Sequence, residues 1–281
     1  MPENSNCASA STCSQSSCEG CPSKNGGANS MQVAQNAYSQ IRHVIGVVSG
    51  KGGVGKSFVT ASMAVQMAKA GYKVGIMDAD ITGPSIPKMF GAKDQMYADE
   101  HENFIPYVTE NGIKIVSINL LMDEEQPVIW RGPVIAGVVT QFWNETCWGD
   151  LDYLFVDMPP GTGDVPLTVF QSLPLDGIVI VTSPQELVKM IVKKAYNMAQ
   201  LMHIPVLGVV ENFSFLKCPD CGKEIKLFGE SHIEETTAEL GTVLLGRLPL
   251  DPVYAQQADD GDFYNTENPY LAKAVEVLKN L

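Results

Sequence analysis

The chain has 281 residues, enough for one large α/β domain with a full core. Its 19 Lys and Arg stand against 32 Asp and Glu, a formal charge of −13, and the densest basic pair is Lys193-Lys194; such a balance argues against nucleic acid or an anionic membrane as partner. The N-terminus lacks the basic start and apolar run of a signal peptide, and no apolar stretch approaches the roughly 18 residues of a membrane span. A soluble, cytoplasmic protein is expected, and its seven cysteines then read as metal ligands rather than disulfides.

Residues 1–30 are rich in Ser, Asn, Gly and Cys and nearly free of large apolar groups. Such a composition cannot offset ordering entropy, so a flexible tail over residues 1–40 is expected, followed by one domain over 41–281. The tail holds Cys7, Cys13, Cys18 and Cys21, the last two as Cys-x-x-Cys. Four thiolates can hold a [4Fe–4S] cluster or a zinc ion; the alternative is a low-complexity tail with incidental cysteines. Residues 31–42 read as a lead-in helix or loop, and the apolar run 44–48 as a buried strand.

Next comes Gly50-Lys51-Gly52-Gly53-Val54-Gly55-Lys56-Ser57, which fits the phosphate-loop pattern. A helical pattern over 58–70 follows and stops at Gly71, so strand, glycine loop and helix stand in the confirming order. Glycines let backbone N–H groups curl around an anion, and the helix start adds its positive dipole end. Lys56 can reach the outer phosphates, and the Ser57 hydroxyl can ligate Mg²⁺. The expected fold is an α/β P-loop NTPase, a mostly parallel sheet with helices on both faces.

A second strand over 73–77 ends in Asp78-Ala79-Asp80. Carboxylates at that end of a parallel strand face the ligand crevice, where one can orient water or hold the Mg²⁺ shell; Asp78 is left open between site and structure. A strand over 113–118, an acidic surface turn at 123–125 and a helix from Trp130 to about Cys147 follow. Arg131 caps local carbonyls or touches a neighbour, and Cys147 reads as a buried inert thiol. The apolar run 153–156 closes on Asp157, the Walker B arrangement for Mg²⁺. Pro159-Pro160-Gly161-Thr162-Gly163-Asp164 then combines stiff and mobile positions.

A strand over 177–182 precedes a long helix over 184–202 with Pro184 in its first turn. A strand over 206–210 ends in Glu211-Asn212-Phe213-Ser214. Then comes Cys218-Pro219-Asp220-Cys221-Gly222, a metal knuckle. Two sulfurs do not satisfy a tetrahedral ion or a cubane cluster, which need four, and a twofold pair of chains would supply the rest. A helix (233–240), a strand (243–245), a candidate base-pocket segment (248–252) and a C-terminal helix with Leu271, Val275, Leu278 and Leu281 on one side complete the chain. The histidines at 43, 101, 203 and 232 show no ligand spacing.

Lys51, right after the first glycine, makes the loop resemble that of the deviant-Walker ATPases, a group with MinD, ParA and the nitrogenase iron protein. With the loop, Asp-x-Pro-Pro-Gly-Thr-Gly-Asp, Glu-Asn-x-Ser and Cys-Pro-x-Cys-Gly together, residues 41–281 resemble the Mrp/ApbC family of iron–sulfur cluster carrier ATPases. The resemblance implies a homodimer in which Lys51 crosses to the partner's nucleotide. It assigns Asp80 to the attacking water, the loop after it to the first switch, the loop after Asp157 to the second, and Asn212 to the adenine edge of ATP. It gives Cys218 and Cys221 a labile [4Fe–4S] cluster that bridges two subunits and passes to apo iron–sulfur proteins. It further implies slow ATP hydrolysis coupled to loading or release, with a cluster assembly scaffold as the source. Phe58 departs from the family, standing where a threonine usually reaches the α-phosphate. The tail cysteines also differ in spacing from those of eukaryotic relatives. The rival readings are a partition or positioning ATPase, a nitrogenase-iron-protein-like electron donor, and a zinc-stabilised dimer.

Overall fold

A computed structural model describes residues 32–80, 85–92, 96–121, 132–161, 163–185 and 188–281. Cys7, Cys13, Cys18 and Cys21, the stretch 81–84, the acidic turn 123–125, Arg131 and Thr162 lie outside these residues. The chain divides into two units, Met1–Gln32 and Val33–Leu281, and every element below belongs to the second.

In chain order these are β1 (Ser39–Ser49), α1 (Lys56–Lys69), β2 (Val74–Asp78), α2 (Ser85–Met89), β3 (Tyr97–Ala98), β4 (Phe104–Ile105), β5 (Tyr107–Val108) and β6 (Lys114–Ser117). There follow α3 (Gly132–Asn144), β7 (Gly149–Asp157), α4 (Asp164–Ser172), β8 (Gly177–Thr182), α5 (Val188–Leu201), β9 (Val206–Lys217), β10 (Glu224–Ile225), α6 (Ile233–Glu239), β11 (Leu244–Pro249), α7 (Pro252–Asp260) and α8 (Ala272–Lys279). The main sheet runs β5-β6-β2-β7-β1-β8-β9, with β11 on the other flank of β9 and β10 folded back on its end. All pairings from β6 to β11 are parallel; β5 and β10 are antiparallel.

The burial of β1 shows how the sheet is dressed. Its first five residues alternate between partly buried and exposed, and its last six are all buried. Helices therefore cover both faces only toward the strand's C-terminal half, which is why that half reads as a continuous apolar run. Gly75 in β2 has a packing reason: a Cβ there would come within 2.7 Å of Leu151 and 3.0 Å of Trp148. At the far end of the chain the Tyr153 hydroxyl donates to Leu278 O at 2.8 Å, locking α8 onto β7.

Several local expectations change. The lead-in over 31–42 is already strand from Ser39, because Ser39–Ile41 pair in register with Gly149–Leu151 of β7. Pro184 does not open α5, which begins at Val188. The strand after α5 does not end at Val210 but runs through Glu211-Asn212-Phe213-Ser214 to Lys217, because β11 lies along it as far as Phe215. Leu248 and Pro249 are strand residues. Leu281 is 45% exposed, leaving Leu271 and Leu278 as the buried anchors of the C-terminal segment. Cys147 is only half-buried, although burial still pushes its thiol up. Among the described residues no helix is long and apolar enough to cross a membrane.

Candidate functional site

The parallel register carries the site residues to one edge. Asp157 ends β7, Asp78 ends β2 beside it in register, and Val47 of β1 lies on the other side. The loop 50–55 leaves β1 there and enters α1 with Gly53 and Gly55 both at φ +78°, a left-handed backbone that glycine adopts without strain. A Cβ on Gly55 would lie 2.2 Å from Asn212 Nδ2, whereas among the described residues nothing comes within 4 Å of one on Gly52 or Gly53. Gly52, Gly53, Gly55, Lys56, Ser57 and Asp80 line a cleft of about 270 Å³, with Ser49, Phe58, Ser85, Met89 and Pro160 also in its wall.

Asp157 is the hub, and it is fully buried. Ser57 Oγ donates to Asp157 Oδ2 at 2.6 Å, and Thr60 Oγ1 donates to Oδ1 at 2.8 Å. Lys56 Nζ sits 2.8 Å from Asp157 Oδ1 and 3.3 Å from Asp80 Oδ2. Burial works against the Lys56 ammonium, but Asp157 and then Asp80 outweigh it, and the net shift is upward. Lys56 thus enters the cleft as a cation in a buried anionic cage. The residues fit Mg²⁺ and a polyphosphate: a hydroxyl and a carboxylate adjoin, a buried cation points in, and the glycines leave room for an anion.

Asp78 resolves as a structural neighbour of this hub. It is buried, accepting from Ser117 Oγ at 2.8 Å and from the Asp80 N–H at 3.1 Å. Burial first, and the Asp157 charge second, push its carboxyl well above the ordinary aspartate range. For an acid raised in the fold, the native state binds more protons than the unfolded chain, so this group's stabilising share is lost as pH rises above the unfolded value. Asp78→Asn, which keeps an acceptor for the Asp80 N–H and can donate to the Ser117 hydroxyl, is therefore expected to raise Tm of the Mg²⁺-free protein at pH 7.5 by on the order of 2–4 °C. The gain should vanish near pH 4 in thermal scans; a lower Tm at pH 7.5 would contradict the assignment.

Two partners escaped sequence reasoning. Thr60 lies one turn after Lys56 on α1 and is fully buried; a polar residue four positions from the loop lysine on an apolar helix face was the available signal. Gln185, in the turn after β8, accepts a hydrogen bond from Lys51 Nζ through its Oε1. That contact holds Lys51 within its own copy, and nothing in the spacing announced it. Phe58 packs its ring against Tyr254 and Phe263, with centroids 5.3 and 5.6 Å away. Asn212 is buried against the back of the loop, its Nδ2 donating to Val54 O at 3.0 Å and its Oδ1 buried with no hydrogen-bond partner among the described residues.

The cysteine knuckle is a hairpin turn at the end of β9. Lys217 and Leu216 pair with Glu224 and Ile225 of β10, the Cys218 N–H donates to Lys223 O at 2.9 Å, and the Gly222 N–H returns to Cys218 O at 2.9 Å. Gly222 at φ +72° makes that return. Cys221 is exposed and Cys218 half-buried. The Cys221 N–H, then the Asp220 N–H and the Cys221 side chain, hold the Cys218 thiol below its ordinary value, which favours the thiolate that binds metal. Ile225, Leu227 and Phe228 are exposed beside it. Among the described residues no group of three or more His, Cys, Asp or Glu side chains is arranged to hold a metal ion.

Comparison with known proteins gives the family. The chain is 46% identical over 284 residues to an iron–sulfur cluster carrier protein of Clostridium perfringens, covering 97% of this chain and 98% of that one. It is 46% identical over 252 residues to an iron–sulfur cluster carrier protein of Methanocaldococcus jannaschii, covering 86% and 87%. A nucleotide-binding protein of Archaeoglobus fulgidus, solved in complex with ADP, superposes with a TM-score of 0.74 at 42% identity over 83% of this chain and 91% of that one. The cell division ATPase MinD of Pyrococcus furiosus shares the fold, with a TM-score of 0.61 at 19% identity over 85% and 98%. The family described as ParA, NUBPL iron-transfer P-loop NTPase, matches residues 40–281. On this evidence the chain belongs to the iron-transfer P-loop NTPases, the family of the iron–sulfur cluster carriers.

Proposed function

We propose that this protein is an ATP-hydrolysing carrier in which two copies share one [4Fe–4S] cluster on Cys218 and Cys221 of each. The observation that carries the reading is that a single strand, β9, touches the phosphate loop through Asn212 and runs at Lys217 directly into the turn that carries the two thiols. The reading is supported by the carrier names of the relatives and by the thiolate-favouring hairpin. A cluster assembly scaffold supplies the cargo, and apo iron–sulfur proteins receive it. A reducing cytoplasm suits the open thiols, and a net charge of −13 suits a protein that works apart from nucleic acid and membrane.

At the nucleotide, Gly50, Lys51, Gly52, Gly53, Val54 and Gly55 wrap the phosphates, and Lys56 turns from the carboxylates to the outer phosphate oxygens. Ser57 and Asp157 would hold Mg²⁺, which when bound neutralises phosphate charge. Lys51 leaves Gln185 and reaches the nucleotide of the partner subunit. Asp80, released from Lys56, orients the water that attacks the terminal phosphorus, and the bond to the ADP oxygen breaks. Asn212, whose Oδ1 is buried, would accept from the adenine amino group once the segment carrying it moves on nucleotide binding.

Phe58 sets an affinity limit. Phe58→Thr is expected to tighten ADP binding by about fivefold, the worth of one hydrogen bond to a phosphate oxygen. Losing the contacts with Tyr254 and Phe263 should also lower Tm by a few degrees. Calorimetric titration and thermal scans read the two effects; unchanged ADP affinity would show that the α-phosphate lies beyond this side chain.

Anaerobic reconstitution with iron and sulfide tests the whole reading. The full chain with serine at Cys7, Cys13, Cys18 and Cys21 should still take up one [4Fe–4S] cluster per two chains, with light scattering reporting a dimer. It should release the cluster to an apo acceptor at a rate that depends on ATP, and Asp80→Ala should remove that dependence. A chain that stays monomeric and binds only zinc would overturn the proposal.

A further inference from the structure

We propose that Glu211, acting through Ser231, is the positioning residue that ties the cysteine hairpin to the strand segment gripping the phosphate loop, so that nucleotide reaches the thiols by this clamp. The inference rests on the carrier reading for its purpose, but its geometry is independent of any cluster.

Strand β9 is not a plain strand. Phe213 stands at φ +59°, in the left-handed region, a strained backbone for a non-glycine residue that persists only where its surroundings hold it. Its neighbours do hold it. Asn212 is bonded to Val54 O, and the Ser214 hydroxyl donates both to the Glu211 carbonyl at 3.0 Å and to Glu211 Oε2 at 2.7 Å. The Phe213 ring and the Asn212 amide sit against Gly55: a Cβ placed there would be 3.4 Å from the ring and 2.2 Å from the amide. Any shift of Val54 and Gly55 on taking phosphate is therefore delivered to a strained, close-packed pair of residues.

Glu211 passes that shift on. Its side chain is 1% exposed, and its carboxyl group collects three elements. Ser214 donates from its own strand, Arg247 Nε lies 3.3 Å away on β11 directly opposite in register, and Ser231 donates to Oε1. Arg247 extends the chain to Glu234 of α6, with Nη1 3.9 Å from Oε1. Ser231 is where the polypeptide returns from the hairpin, and its hydroxyl also accepts from the Ile233 N–H at the start of α6. The arm between Lys217 and Ser231 is thus anchored at both ends to the same few residues of β9. Burying a carboxyl group with three partners is an expensive way to hold two loops together, and it suits an element with two defined arrangements more than a passive core contact.

Amide hydrogen exchange on the full, reduced, cluster-free chain tests this. Mg²⁺ with ATP should change exchange of residues 216–230 several-fold in the wild type. Ser231→Ala leaves Glu211 hydrogen-bonded to Ser214 and ion-paired with Arg247, so it should fold and bind ADP within about twofold of wild type. It should nevertheless lose the nucleotide-dependent change over 216–230, and Ser231→Thr should restore it. Ser231→Ala retaining the full change, or a wild type showing none, would overturn the proposal. If the wild type shows the change but takes up no cluster, the carrier reading falls and the clamp stands. If cluster release depends on ATP equally in wild type and Ser231→Ala, the clamp falls alone.

Discussion

Lys56→Ala is expected to abolish ATP hydrolysis, a loss of about 10²–10³-fold or more in kcat, because the cation that stabilises charge on the transferred phosphoryl group is gone. A second effect of similar weight should appear without any nucleotide. Lys56 Nζ is the cation between Asp157 and Asp80, and the lysine is only 5% exposed. Removing one partner of a buried pair costs about 3–5 kcal/mol, because the remaining charge has no compensation. At about 2–4 °C per kcal/mol, the empty variant should melt roughly 10 °C below wild type. Mg²⁺ alone should recover part of that loss in the variant, since a divalent cation can replace the missing ammonium against Ser57 and Asp157. A variant that hydrolyses nothing yet melts like wild type would show that the carboxylates do not depend on Lys56 in solution.

Cys221→Ala is expected to do the reverse: all bound iron and the iron-dependent dimer lost, the nucleotide site intact. Cys221 is exposed at the tip of a hairpin whose backbone bonds run between Cys218, Gly222 and Lys223, so its truncation removes no packing. Stability should stay within about 0.5 kcal/mol of wild type and ADP affinity within about twofold. Cys218→Ala should also lose the iron. Iron analysis, absorbance and light scattering after anaerobic reconstitution read the first effect, and titration with ADP reads the second. Colour that persists in Cys221→Ala would move the cargo to other ligands.

What could be read from the sequence follows the range of the interactions. The phosphate loop, its flanking strand and helix, and the apolar run closing on Asp157 are local signals, and the structure places Lys56, Ser57, Asp80 and Asp157 within one cleft region. The knuckle was legible as a thiol pair for the same reason. Its setting was not, because whether 211–217 is loop or strand is decided by β11, which lies alongside as far as Phe215 from more than thirty residues away. Gln185 and Ser231 find their partners only once β8 and β9 have their neighbours. Asn212 was visible as an amide, but its bond to Val54 O depends on the close approach that Gly55 permits. Ser39 joined the strand through pairing with Gly149, a contact no local pattern announces.

The flanks of the sheet carry a last consequence. One edge is β5, two residues long and antiparallel. On the other side the segment through Tyr270 crowds against β11, where a Cβ at Gly246 would lie 2.4 Å from the Tyr270 carbonyl oxygen, and β10 offers two residues more. Ladder extension needs a longer run of open backbone groups than either margin presents. Side-by-side polymerisation through these margins is thereby discouraged, and the glycine loop and the cysteine hairpin emerge elsewhere, at the ends of β1 and β9.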